Sequence, residues 1–96
     1  MKKKETSSVV RLLEIMNELR EKCPWDREQT IDSLKTLTLE ESYELLDAIN
    51  EKDYDEIKNE LGDLLLHIVF YSKIASEKSK FNFNDVVETI IKKLIV

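Results

Sequence analysis

The sequence predicts an all-α protein, and three observations carry that expectation. Apolar residues recur at three- and four-residue spacing through several separate segments. The 96 residues include a single glycine and a single proline, too few for the turns of a β-sandwich. Ser, Thr, Asp or Asn stands ahead of the periodic segments, where a helix needs an acceptor for its first amides. Four to five helices are expected, in one domain spanning residues 1–96. A chain of this length buries only about two thirds of its unfolded surface, so a second copy is expected to complete the bundle.

A first amphipathic helix runs from Ser7 to about Lys22, carrying Val9, Val10, Leu12, Leu13, Ile15, Met16 and Leu19, with Thr6 or Ser7 as its cap. Cys23-Pro24-Trp25-Asp26 ends it, because a proline disfavours helical geometry in the residue before it and has no amide to donate. A polar connection, Arg27-Glu28-Gln29-Thr30, is followed by one expected helical turn at Ile31 to Lys35. Thr38-Leu39-Glu40-Glu41 has the form of a capping box, opening a helix to about Glu51 with Leu39, Tyr43, Leu45, Leu46 and Ile49 on its apolar side.

Asp53-Tyr54-Asp55-Glu56 is a second capping box and starts the longest helix, to about Glu77. Between Leu61 and Ile74 that helix is apolar nearly all round, which predicts cover on most sides and a second subunit as the cover. Gly62 lowers helix propensity by roughly 1 kcal/mol and predicts close approach of a neighbouring backbone or ligand. Asn82 or Asn84 caps a last helix bearing Val86, Val87, Ile90, Ile91, Leu94 and Ile95, with Lys92 and Lys93 near its end, where cations suit the helix dipole.

Charge narrows the partners. Twenty acids against fifteen bases give a net charge of −5, which argues against a nucleic-acid duplex, since backbone binding relies on clustered Lys and Arg. No apolar run approaches membrane-spanning length, and the basic start Lys2-Lys3-Lys4 leads into no apolar leader segment, so a cytoplasmic protein without a membrane partner is expected. Cys23, the one cysteine, fits a reducing compartment and is read as structural.

The chemistry concentrates in two acidic pairs. Glu41 and Glu44 sit three apart on one helix, Glu60 and Asp63 three apart on the next, so each pair projects from a single face. Facing each other, they would crowd carboxylates to a degree that opposes folding unless a hard cation neutralises them, and Mg²⁺ is the first candidate, with Mn²⁺ as a substitute. Against this stands the plainer reading of solvated helix faces with routine spacing. His67 and Tyr71 continue the Glu60 and Asp63 stripe. His67 is read either as a hydrogen-bonded buried histidine or as a group beside the substrate and metal. No Glu-x-x-His pair is present, which disfavours a di-iron carboxylate bundle.

Taken together, Cys-Pro-Trp-Asp-x-Glu-Gln-Thr at Cys23 to Thr30, Glu-Glu-x-x-Glu at Glu40 to Glu44 and Glu-Leu-Gly-Asp-Leu-Leu at Glu60 to Leu65 resemble the MazG nucleotide pyrophosphohydrolases of the all-α NTP pyrophosphatase superfamily. Phe81-x-Phe-Asn-Asp-Val and Lys93-Leu94 extend the similarity over essentially the whole chain. The resemblance implies Mg²⁺-dependent hydrolysis of (deoxy)nucleoside triphosphates to monophosphate and pyrophosphate, by homodimers or dimers of dimers. It implies metal binding by Glu41, Glu44, Glu60 and Asp63, and a part for Glu40 as base or beside the metal's water. By the same resemblance Trp25 would lie near the nucleobase, and Lys93, with Lys92, would reach the phosphates. Relatives continue past Lys-Leu with a basic Arg-His-Pro segment where this sequence ends at Val96, which leaves substrate choice outside what the resemblance implies. House-cleaning of aberrant nucleotides and control of nucleotide pools both fit. The alternatives are a non-catalytic helical interaction module and a relative acting on dUTP or phosphoribosyl-ATP-like substrates.

Overall fold

A computed structural model describes residues 3–95, and among them only helices and their connections occur. Five helices follow in order: α1 Lys3–Lys22, α2 Pro24–Glu28, α3 Ile31–Asn50, α4 Tyr54–Glu77 and α5 Phe83–Leu94. The all-α expectation holds, and the helix ends show why each element lies where it does.

Three boundaries differ from the sequence reading. The first helix begins at Lys3, so Thr6 and Ser7 lie inside it rather than cap it. The segment after Cys23 is a short helix, α2, with Pro24 at its first position, where a missing amide costs nothing. The third helix starts at Ile31, seven residues ahead of Thr38. Thr30 caps it: its side chain accepts from the Ser33 amide, and the Ser33 hydroxyl accepts from the Thr30 amide. A serine thus fills the place the capping box usually gives to Glu or Gln. Nothing between Ile31 and Leu39 breaks a helix, so once nucleated at Thr30 it propagates through Thr38.

The other caps stand where the sequence places them. Asp53 accepts from the Glu56 amide, but the box is half-formed, since the Asp53 amide donates to the Ala48 carbonyl rather than to Glu56, while Asn82 forms a reciprocal box with Asp85. Both α3 and α4 end in the same way. The Asp53 amide donates to the Ala48 carbonyl and the Lys52 amide to Ile49, while Lys80 and Ser79 repeat the pattern on Ala75 and Ser76. These are Schellman motifs, and they put Lys52 and Ser79 at φ 57° and 56°, a region usually given to glycine.

The α3 and α4 helices form an antiparallel hairpin and make the most extensive packing in the chain, while α5 rests on α4 and does not reach α3 among the described residues. One end of the hairpin is the core. Met16 of α1, Leu34 of α3 and Val69, Phe70 and Ile74 of α4 are buried there, with Leu12, Leu13, Leu37, Tyr71 and Phe83 around them. Arg20 closes this end. Its guanidinium grips the Glu77 carboxylate through Nε and Nη2, and its Nη1 donates to the carbonyls of Asp26, Arg27 and Gln29 at 2.7 to 2.9 Å. The other end of the hairpin carries the acids.

Two apolar stripes face outward. On α3 the side packed on α4 is Leu34, Thr38, Glu41, Leu45 and Ala48, whereas Leu39, Tyr43 and Leu46, expected among the packed residues, are 53 to 62% exposed on the opposite side. Ile49 is also exposed. On α4, Leu61, Leu65 and Ile68 form a second exposed stripe at the same helical spacing. A side chain at Gly62 would meet nothing within 4 Å in this chain, so no neighbouring backbone of the same chain accounts for the glycine.

Candidate metal centre and active site

The acidic end of the hairpin is built by register. The connection between α3 and α4 is short, so residues equally distant from it face each other, and Glu41 of α3 meets Glu60 and Asp63 of α4. One carboxylate oxygen from each of these three lies within 4.8 Å of the others. For Mg²⁺, with ligands at roughly 2.0 to 2.1 Å, opposed oxygens stand about 4 Å apart, and Ca²⁺ takes a slightly wider shell. A single hard cation fits between the three with little side-chain movement.

Glu44 lies outside that triplet and beside Glu60. With Asp47, Ala48, Glu51, Asp53, Glu56 and Glu60 it lines a cavity of about 360 Å³ that has no basic residue in its wall. Sequence spacing did not single out Asp47, Glu51, Asp53 or Glu56 for the site. The signal available was the continuation of Glu44 at three and seven residues through Asp47 and Glu51, a pattern that solvated helices also show.

The electrostatics follow from the crowding. Burial, together with the charges of Asp63 and Glu44, holds the Glu41 carboxyl above its ordinary value. The close approach of the Glu60 carboxyl raises Glu44, and burial and the charges of Glu60, Asp63 and Glu40 add to it. Glu60 is raised first by the neighbouring Glu41 carboxyl and then by burial. These carboxyls resist ionising together for want of a positive partner. Two atoms make the need explicit: Glu41 Oε2 and Glu60 Oε2 are shielded from solvent and have no hydrogen-bond donor. Buried polar oxygens are nearly always satisfied, so two orphans on carboxylates that cluster with Asp63 make this group a candidate cation site. An all-oxygen donor set selects Mg²⁺, Mn²⁺ or Ca²⁺ over softer ions.

The remaining candidates lie around this centre at differing removes. Glu40 is exposed and adds its charge to Glu44. His67 and Tyr71 are half-buried and hydrogen-bonded to Thr38 of α3. Trp25 on α2 is 55% exposed and meets the buried Phe70 ring nearly at right angles, with 6.5 Å between centroids. Lys92 and Lys93 are exposed at the end of α5, and among the described residues no ion pair joins them to the carboxylates. The four acids thus lie together at one end of the α3–α4 hairpin, and the two lysines make no ion pair with them among the described residues.

A helical hairpin sharing a carboxylate centre between antiparallel helices defines an all-α protein with a candidate hard-cation site. Comparison with known proteins gives the family. Residues 29–96 match the family model of the MazG nucleotide pyrophosphohydrolase domain, and the chain belongs to this family. It is 48% identical over 91 residues to a nucleoside triphosphate pyrophosphohydrolase of Escherichia coli strain K12, covering 92% of this chain and 35% of that protein. It is 51% identical over 86 residues to the nucleoside triphosphate pyrophosphohydrolase/pyrophosphatase MazG of Thermotoga maritima, covering 88% of this chain and 34% of that one. The chain thus spans about a third of the length of these relatives. The crystal structure of a mazG-related protein from Thermotoga maritima superposes with a TM-score of 0.76 at 25% identity, over 88% of this chain and 74% of that chain.

Proposed function

We propose that this chain is a catalytic domain that hydrolyses (deoxy)nucleoside triphosphates to the monophosphate and pyrophosphate with Mg²⁺ held by Glu41, Glu44, Glu60 and Asp63. The observation that carries the reading is the pair of orphaned, shielded oxygens, Glu41 Oε2 and Glu60 Oε2, on carboxylates that cluster with Asp63. The names of the relatives supply the substrate class. A cation held by these carboxylates would offset their charge and supply Lewis-acid activation of a water and of phosphate oxygens.

The chain's own residues divide the rest of the work. Glu41, Glu60 and Asp63, carried on two packed helices, would hold the cation, and the helices would keep their carboxylates in a fixed arrangement. Glu44 closes the gap on the cavity side, and Glu40, exposed one turn before it, takes up the proton the water loses. The exposed ring of Trp25 stacks a base. Lys92 and Lys93 meet phosphates across an assembly rather than within one chain. The solvent-facing stripes Leu39, Tyr43, Leu46 on α3 and Leu61, Leu65, Ile68 on α4 lie on the outer sides of the hairpin and are the surfaces on which further copies pack, since each is a row of large apolar side chains that this chain leaves uncovered. Among the described residues no helix is long and apolar enough to cross a membrane.

The test is pyrophosphate release from a panel of NTPs, dNTPs, dUTP and a phosphoribosyl-ATP-like phosphoanhydride, with and without Mg²⁺. Metal-dependent release of pyrophosphate from one or more triphosphates is the expected result. No turnover of any member would leave a non-catalytic helical module.

A further inference from the structure

Thr38, read from sequence as a helix cap, stands inside α3 with its hydroxyl among three groups. Oγ1 is 3.1 Å from the Leu34 carbonyl and 2.9 Å from His67 Nδ1, and it also hydrogen-bonds the Tyr71 hydroxyl. A hydroxyl has one proton and two lone pairs to share. The assignment that gives every contact a proton has Thr38 donate to Leu34 and accept from His67 Nδ1–H and Tyr71 O–H. The carbonyl of Thr38 in turn accepts from Ser42 Oγ at 3.0 Å. Thr38, His67 and Tyr71 are all partly withdrawn from water, where an unmade hydrogen bond is costly.

The place of this node matters more than its strength. Thr38 precedes Glu41 by three residues and His67 follows Asp63 by four, so on both helices it lies one turn, about 5 Å, from the acids and on their face. Like charges in the gap push α3 and α4 apart at that end. The core beyond is apolar, and apolar contact is non-directional, so it opposes separation without fixing register. The Thr38 hydroxyl is a directional link between the two helices next to the acids.

Resting on the reading that the acids hold a divalent cation, we infer that Thr38 is a positioning residue: clamped by His67 and Tyr71, its hydroxyl sets the separation of Glu41 from Glu60 and Asp63, and with it the cation affinity of the cluster. His67 and Tyr71 act through Thr38 and touch neither metal nor substrate in this role. A merely structural node would lower stability on removal and leave the cation affinity of the folded chain unchanged.

The test is a Mn²⁺ titration of the whole chain without nucleotide, read by electron paramagnetic resonance, alongside the far-UV circular dichroism and Tm of the metal-free protein. Thr38→Val, which keeps the shape and removes the hydroxyl, is expected to weaken Mn²⁺ binding about tenfold or more, the scale on which groups that orient metal ligands act. Thr38→Ser is expected to stay within about twofold of wild type, and Tyr71→Phe to fall between the two. Thr38→Val that binds Mn²⁺ as wild type does overturns the inference, as does Thr38→Ser that fails to restore binding. If Thr38→Val does not fold, Tyr71→Phe decides, and unchanged affinity there overturns the inference. Wild-type chain that takes up no Mn²⁺ overturns the metal reading itself, a result seen before any variant is compared.

Discussion

Glu41 of α3 and Glu60 of α4 each turn one carboxylate oxygen out of water, and neither oxygen finds a donor. The two side chains come from helices 19 positions apart in the chain, on facing sides of one hairpin, with an oxygen of Asp63 within 4.8 Å of both. Their adjacency destabilises the metal-free fold and becomes favourable once a cation lies between them.

Glu60→Gln should therefore raise the Tm of the metal-free protein while abolishing the Tm rise that Mg²⁺ gives wild type. The amide supplies donors to the Glu41 and Glu44 carboxylates and removes a charge. Pyrophosphate release should fall on the order of a hundredfold or more, because a ligand is lost rather than a supporting group. Differential scanning fluorimetry with EDTA or Mg²⁺, paired with a pyrophosphate assay, checks both halves.

The same crowding fixes the sign of a pH effect. Glu41, Glu44 and Glu60 are held above their ordinary value of 4.5 in the fold, so the native state binds more protons than the unfolded chain as pH rises beyond that value. Stability from these groups is present below pH 4.5 and declines as pH rises through their folded-state values. Glu77 acts in the opposite sense. Its bond to Arg20 lowers it, so its contribution is present above 4.5 and lost on acidification. In EDTA, urea midpoints should fall as pH is raised from 4.5 toward neutrality. Mg²⁺, which binds the ionised acids, should remove that fall, and Glu60→Gln should reduce it without metal.

Arg20 carries the opposite end of the hairpin. Arg20→Ala should cost about 2 kcal/mol, since it strands the Glu77 carboxylate and the three carbonyls around the α2 connection, and Tm should drop by roughly 10 °C. Arg20→Lys should recover little, because an ammonium cannot reproduce the bidentate fork. Thermal unfolding followed by circular dichroism measures both.

Lys52 and Ser79 occupy left-handed positions that end α3 and α4. Replacing each by glycine relieves a side-chain clash and raises unfolded-state entropy, and the first term is the larger, so each substitution should stabilise by up to about 1 kcal/mol. Lys52→Gly should leave pyrophosphate release unchanged. Urea unfolding reads the gain.

The outward stripes give a prediction about assembly. On the packing proposed above, Leu46→Glu or Leu65→Glu should lower the mass of the assembly in light scattering without loss of helical content, because each side chain is exposed in this chain and would place a charge in the apolar seam.

Much of the candidate site was legible because its signal is local. Three-residue spacing placed Glu41 with Glu44 and Glu60 with Asp63, and the caps at Asp53 and Asn82 fixed the helices that hold α4 and α5. What spacing cannot carry is register between helices. Thr38 has the local form of a cap, and only the facing of α3 and α4 turns it into a link to His67 and Tyr71. Arg20 looks like one more charge on an amphipathic helix until Glu77, 57 positions on, is brought beside it. The start of α3 was misplaced because Thr30 and Thr38 offer similar signals and the Ser33 half of the box lacks a carboxylate. Helix ends at Lys52 and Ser79 had no glycine to mark them. The exposed Leu39, Tyr43 and Leu46 show the limit of periodicity, which finds an apolar face without saying whether this chain or another covers it.

Where a cation settles in the fold decides between an enzyme site and a plain acidic surface. Crystals of the protein soaked in Mn²⁺ should show an anomalous difference peak bounded by the carboxylates of Glu41, Glu60 and Asp63, with Glu44 turned toward it. A chain that releases pyrophosphate while those carboxylates frame no peak, or that concentrates Mn²⁺ at some other place, would contradict that placement.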